Sequence, residues 1–292
     1  MKIFIIGSSG LLGSNILNKL KNNKNLILHH NGLRKRKIDL TNFKKIKNFL
    51  IIKKFDLIIN CAAYTDIDFI EKNKKKTNKL NIELIRNLFL IKKKYKLSYK
   101  VMHFSTDQMY GYKNVYHSEN SKFKICNHYT KQKILSEKIC KKNNSLIFRV
   151  NFFGKSVNKS KNNKLSFTDW IYKMFLRPDQ NFHLFEDVYF NPMYVGNLAQ
   201  IIAEIVKKNL ISFNGIFNIG SKNGMNKKDF AVFFAKRANI YNNNAYMVSK
   251  SYKILNAKRS RFMMMNTKKF EKKFQIKLGN LKNEIKTCAK KY

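Results

Sequence analysis

Cysteine is scarce in this sequence and never closely spaced. Cys61, Cys126, Cys140 and Cys288 form no C-x-x-C pair, which removes both a disulfide framework and a zinc site and fits reduced thiols. Proline is rarer still: only Pro178 and Pro192 occur, and no Gly/Ser-rich tract accompanies them. No stiff or flexible linker therefore separates the two halves of the chain, which are expected to share an interface. No apolar run reaches the roughly 18 residues that cross a bilayer, and the N-terminus enters a strand after one lysine instead of a signal-peptide pattern. No membrane association is expected, and the expected compartment is the cytoplasm. Internal repeats are absent as well.

Acidic residues are few: 17 Asp and Glu stand against 60 Lys and Arg, a net charge of +43. Lysine is spread over nearly every helix and turn alongside abundant Asn and Ile, so the excess looks like compositional drift. Neither a recognisable nucleic-acid module nor aromatics interleaved with basic residues on one segment accompanies it. A specific nucleic-acid partner is not expected, although salt-sensitive sticking to polyanions is. The same field suits a negatively charged small ligand.

What is present begins at residue 1. The opening MKIFIIGSSGLLG is an apolar strand, Ile3 to Ile6, that runs into Gly7, Gly10 and Gly13, with an amphipathic stretch from Leu11. Strand, glycine turn and helix build a pyrophosphate cradle: Gly7 makes the tight turn, Gly10 lets the backbone approach phosphate, and Gly13 lets the helix pack closely. Strand patterns follow at 25–29, 56–60, 100–104 and 145–149, with helical patterns at 11–21, 42–52, 78–95 and 127–141. This alternation predicts an α/β fold, a Rossmann-like doubly wound parallel sheet over 1–150. Beyond Arg149 the pattern turns mixed, with helices predicted near 167–176, 194–207, 227–238, 266–273 and 279–290, and strands near 182–190 and 215–219. Residues 151–292 are thus expected to form a smaller substrate-binding region, with about 193–207 packing back on the first domain.

Cofactor preference is written after the second strand, where a carboxylate would accept hydrogen bonds from a free ribose 2′-hydroxyl. The chain offers His29, His30, Asn31, Gly32, Leu33, Arg34 and Lys35 there, and no carboxylate before Asp39. Arg34 and Lys35 can pair with a 2′-phosphate, which favours NADPH, with NADH as the alternative. Asp39, in IDLTN, is expected after a third short strand, where it meets the adenine amino group or else caps the next helix.

The candidate chemistry lies in HYTKQK. Tyr129 and Lys133, four apart on a helix, share a face, so the ammonium can favour ionisation of a phenol that otherwise titrates near ~10. Just upstream, STDQMYG ends a predicted buried strand and puts the Thr106 hydroxyl at the C-terminal edge of the sheet. Trp170, on a helical pattern, reads as packing.

Taken in order, GSSGLLG, NCAAYTDID, STDQMYG, YTKQK, RVNFFG, SFTDW, LFEDVYFNPMYVGNLA, GIFNIGSKNGMNKKDFA and KRSRFMMMNTKKFEKKF cover nearly the whole chain. The sequence resembles an extended short-chain dehydrogenase/reductase, and most resembles the dTDP-4-dehydrorhamnose reductase branch. That resemblance implies a catalytic trio of Thr106, Tyr129 and Lys133. It implies cofactor contacts at Gly7, Gly10, Leu11, Leu12, Gly13, Arg34, Asp39, Leu40, Ala62, Ala63, Tyr64, Tyr129 and Lys133. Substrate contacts fall on Asp107, Asn151, Phe152, Phe153 and Arg259, the last at the nucleotide end with the aromatic 182–192 stretch. The implied reaction is NAD(P)H-dependent reduction of a 4-keto group on a nucleotide-linked deoxysugar for surface polysaccharide synthesis, with no metal; a homodimer is admitted. Sugar-nucleotide 4,6-dehydratases carry Thr-Asp-Glu where this chain has Thr106, Asp107 and Gln108, and a glutamine cannot serve as the general base of elimination. The alternatives are an epimerase/reductase on another nucleotide sugar and a non-catalytic binding module, such as the regulatory subunit of methionine adenosyltransferase.

Overall fold

The computed structural model describes residues 1–31, 38–156, 165–177 and 182–292. The chain opens with β1 (Lys2–Ile6), whose last four side chains are fully buried, followed by α1 (Leu11–Leu20) and β2 (Ile27–His30). Then come α2 (Phe43–Lys53), which starts where the Asn42 side chain accepts the Lys45 N–H, and β3 (Leu57–Asn60). Helix begins earlier than the 78–95 pattern predicts, because the Asp66 side chain accepts the Phe69 N–H and opens α3 (Ile67–Lys72). After it, α4 (Lys74–Asn78) runs through a single π turn, Lys79–Glu83, into α5 (Leu84–Lys94).

Next are β4 (Lys100–Thr106), a 3-10 turn at Asp107–Met109, α6 (His128–Lys142) capped by Asn127, and β5 (Leu146–Val150). The second half holds β6 (Phe152–Phe153), α7 (Phe167–Phe175), β7 (Phe182–Phe185), β8 (Tyr189–Phe190), β9 (Met193–Tyr194), α8 (Val195–Lys207) and β10 (Gly215–Ile219). It closes with β11 (Met225–Asn226), α9 (Lys227–Arg237), β12 (Tyr246–Ser249), α10 (Ser251–Ile254), α11 (Lys268–Phe274) and α12 (Leu281–Ala289). The short β12, whose YMVS carries too little pattern to stand out, pairs in parallel with β7.

Six strands form the central sheet in the order β10-β5-β4-β3-β1-β2. Both neighbours of β1 run parallel to it, with Ile3 opposite Leu28 on one side and Leu57 on the other. Chain order reverses at β1, so the crevice beyond the C-terminal ends of β1 and β3 is the switch point where ligands enter such sheets. The predicted doubly wound α/β architecture is what the chain adopts. Among the described residues no helix is long and apolar enough to cross a membrane.

Two compact units make up the molecule. Unit 1 comprises Met1–Thr106, Asn127–Arg149 and Ala199–Ile216, with a core built on Phe4, Ile6, Ile58, Leu84, Leu88 and Val101. Within it, Arg149 on β5 donates from Nε to Glu137 Oε2 on α6 at 3.0 Å and from a second nitrogen to Oε1, a buried fork that fixes the helix to the sheet. Unit 2 comprises Asp107–Cys126, Val150–Leu198 and Phe217–Tyr292, around Ile171, Phe182, Phe230, Phe234 and Ile285. Trp170 packs there, edge-on to Phe182 at 5.5 Å.

Candidate active site

At the end of β1, Gly7 has φ +79°, and a Cβ on it would lie 2.6 Å from the Ala62 nitrogen. Only glycine lets this turn rest on the backbone that leaves β3. A Cβ on Gly13 would come within 2.3 Å of the Gly7 carbonyl oxygen, so α1 is pressed onto the turn itself. Gly10 is the N-cap of α1, with no side-chain cap and no acidic residue in the first turn. No carboxylate of α1's own first turn therefore competes for its free N–H groups, and the positive end of the helix is set for an anion. These residues fit the pyrophosphate of a dinucleotide. Asn31, just after β2, accepts the Gly7 N–H on Oδ1 at 2.8 Å and so holds the turn from the other side.

The structure bears on the other cofactor candidates only in part. Arg34 and Lys35 fall outside the described residues. The short strand expected before Asp39 falls on residues 32–37, outside the described residues; the Asp39 carboxylate accepts the Thr41 N–H at 2.9 Å and the Thr41 hydroxyl at 2.7 Å, and the cap of α2 is Asn42. These bonds, chiefly the one from the Thr41 hydroxyl, hold the Asp39 carboxyl below its ordinary range. Leu12 and Leu40 are buried, so their side chains serve the core.

Beyond β3, the segment with Ala62, Ala63 and Tyr64 is pinned by amides. Asn60 Oδ1 accepts the Ala62 N–H at 3.2 Å. Asn81, inside the π turn, accepts the Tyr64 N–H at 2.8 Å and donates to the Tyr64 carbonyl at 3.0 Å and to Gln132 Oε1 at 2.7 Å. Its place in the π turn puts this amide between the wall segment and α6. Sequence reasoning passed over Asn31, Asn60 and Asn81, since asparagine is too common here for its pattern to stand out.

Thr106 ends β4, while Tyr129 and Lys133 lie one turn apart at the start of α6; all three are buried, at 5 %, 6 % and 4 % exposure. Lys133 Nζ donates to the Phe104 carbonyl at 2.5 Å, two residues before Thr106, which brings the helix pair and the strand end together within unit 1. Burial brings the Lys133 ammonium down from 10.5 to about 8, against the opposing pull of Cys140, Glu137 and Cys61. Between about pH 8 and the ordinary lysine value the unfolded chain then binds more protons, so this residue adds stability as pH rises through that window. Chemistry that draws on the ammonium has the opposite sign. We expect kcat/KM to fall with an alkaline limb near pH 8, read from a pH profile; a profile flat to about pH 10 contradicts it.

In unit 2, Asp107 is buried, and its Oδ2 accepts from Asn151 Nδ2 at 2.6 Å, joining two of the expected substrate residues. The neighbouring phenylalanines diverge: Phe152 is half-buried, but Phe153 is 1 % exposed and meets Phe230 edge-on at 4.8 Å. Phe153 is thus a core residue, because alternation along β6 turns it inward. Gln108 sits in the 3-10 turn, its carbonyl accepting from Ser260 Oγ at 2.7 Å. Arg259 lines a cavity of about 480 Å³ with Lys124, Cys126, Tyr252, Lys258 and Arg261. Four cations surround that space, and Arg261 also stands 3.7 Å from the Asp187 carboxylate.

A family model described as the RmlD substrate binding domain matches residues 1–292. The chain is 25% identical over 241 residues to the probable low-salt glycan biosynthesis reductase Agl14 of Haloferax volcanii, covering 79% of this chain and 78% of that one. Its fold is similar to a dTDP-4-dehydrorhamnose reductase of Clostridium acetobutylicum, with TM-score 0.83, 21% identity and 99% of each chain covered. It is equally similar to a dTDP-4-dehydrorhamnose reductase of Bacillus anthracis solved in complex with NADP, with TM-score 0.84, 20% identity and 99% of each chain covered.

Proposed function

The chain belongs to the family of the RmlD substrate binding domain, and from that membership we propose that it is an NADPH-dependent reductase of a 4-keto group on a nucleotide-linked deoxysugar. The observation that carries the reading is the pairing of Tyr129 and Lys133 on α6, with the lysine bonded to β4 just before Thr106. The glycine turn beyond β1 and β3 fits the cofactor's pyrophosphate. Agl14 is named as a glycan biosynthesis reductase, which agrees with a role in making a polysaccharide precursor, and the Bacillus anthracis enzyme was solved with NADP, which agrees with the cofactor.

Bound in the cradle, NADPH supplies the hydride. The Tyr129 hydroxyl protonates the carbonyl oxygen as charge develops on it, and the Thr106 hydroxyl hydrogen-bonds the same oxygen. The Lys133 ammonium favours the ionised phenol once that proton has left. Asp107 and Asn151, bonded to each other, present a fixed polar pair to the sugar hydroxyls. Gln108, with no acid to give or base to take a proton, leaves the machinery for elimination of water incomplete. The four cations around Arg259 suit the diphosphate of the nucleotide.

Purified protein mixed with NADPH and a 4-keto-6-deoxy nucleotide sugar is expected to consume cofactor and give the hydroxylated sugar nucleotide, seen by absorbance and product NMR. Cofactor binding without turnover on any keto-sugar nucleotide contradicts the proposal and favours a binding module. Arg259→Ala is expected to raise KM for the nucleotide sugar by about 10- to 100-fold with kcat little changed, the value of one charged hydrogen bond to phosphate.

A further inference from the structure

His103 is buried in the middle of β4 at 2 % exposure, and the proton chemistry above makes no use of it. Its Nδ1 is 3.2 Å from Asn60 Nδ2, and its Nε2 is 3.2 Å from Ser136 Oγ on α6. The bonds around it fix one proton arrangement. Asn60 Oδ1 is committed to the Ala62 N–H, so the amide turns its NH2 to His103, and Nδ1 must accept. The ring proton then sits on Nε2 and points at Ser136, whose hydroxyl donates onward to the Lys133 carbonyl at 3.0 Å. One directed chain runs from the Ala62 wall, through Asn60, His103 and Ser136, to the backbone of Lys133.

Lys133 is therefore held twice on β4: its ammonium by the Phe104 carbonyl, and its carbonyl through Ser136 by His103. A second ring proton would aim an N–H at the Asn60 NH2, and turning that amide over would strand the Ala62 N–H. Burial, and then the Lys133 charge, hold the imidazole well below its ordinary range, in line with a ring that stays neutral.

We propose that His103 is a positioning residue of the reductase site, one that sets the register of the Ala62–Tyr64 wall against the helix carrying Tyr129 and Lys133. This rests on the role given to those two residues above. Its first test is 15N NMR of the imidazole in the intact protein: a neutral ring protonated on Nε2 at about pH 6 is expected, and an imidazolium or an Nδ1–H ring overturns it. The second is a double-variant cycle. His103→Phe and Ser136→Ala are each expected to lower kcat by about tenfold, and the double variant no further, because both break one chain. His103→Gln, which can accept and donate in the same order, is expected to recover kcat to within about threefold of wild type. Losses that multiply, or a Gln variant as poor as the Phe variant at equal folded fraction, overturn the proposal. Should wild type reduce no keto-sugar nucleotide, the reductase reading fails by itself; the same cycle read as NADPH dissociation constants must still show coupling, and its absence there overturns the positioning role.

Discussion

Tyr129→Phe is expected to lower kcat by about a thousandfold, the scale of a lost general acid, while the NADPH dissociation constant stays within about twofold of wild type. The substitution removes one oxygen and leaves the ring, which is 6 % exposed and packed at the start of α6. A drop in kcat with cofactor affinity intact is the signature of a group that acts in the transition state alone. Steady-state kinetics and a fluorescence titration read the two quantities separately. Turnover at the wild-type rate would remove Tyr129 from the chemistry, and a parallel loss of cofactor affinity would make it a binding residue instead of the acid.

Gly13→Ala is expected to damage both stability and cofactor binding. Its new methyl would stand 2.3 Å from the Gly7 carbonyl oxygen and 2.9 Å from Ser8 Cα, both backbone atoms that move only if the turn moves. Overpacking of this kind costs about 1–3 kcal/mol, which appears as a thermal midpoint lower by several degrees and an NADPH affinity weaker by up to about 100-fold. Gly10→Ala is the informative control. Its methyl would stand 3.3 Å from the Gly7 carbonyl oxygen, a tight contact but far looser than the one at Gly13, so the stability loss should be the smaller of the two, while cofactor affinity falls because the backbone no longer reaches the phosphates. If both variants bind NADPH like wild type, the glycine turn is not the cradle.

The glycine turn was legible in the sequence because backbone geometry permits few residues at such a corner, and Gly7 and Gly13 are where a Cβ cannot go. That Tyr129 and Lys133 share one face of α6 was legible because helical spacing puts residues four apart together, and their place just after STDQMYG singled the pair out. The alternation of strands and helices gave the doubly wound sheet, since each apolar run had a helical pattern beside it. Elsewhere local pattern left the detail open. Asp39 turned out to bond Thr41, one of several local partners open to an aspartate in IDLTN, and no spacing rule chooses among them. Phe153 shares a dipeptide with Phe152, and only the pairing of β6 decides which ring enters the core. The amide network was out of reach for a different reason. Asn60 meets His103 across 43 residues of sequence and Asn81 meets Gln132 across 51, and contacts of that separation follow from topology rather than periodicity.

The central claim is that hydride passes from the nicotinamide to a sugar carbonyl while Tyr129 supplies the proton. Its most direct test is turnover of a 4-keto-6-deoxy nucleotide sugar with NADPH deuterated at the nicotinamide C4, followed by NMR of the product. The account predicts one deuterium on the newly formed carbinol carbon of the sugar and none elsewhere, with the signal lost in Tyr129→Phe. A product labelled at another carbon, or NADPH that binds and is never oxidised, would contradict it.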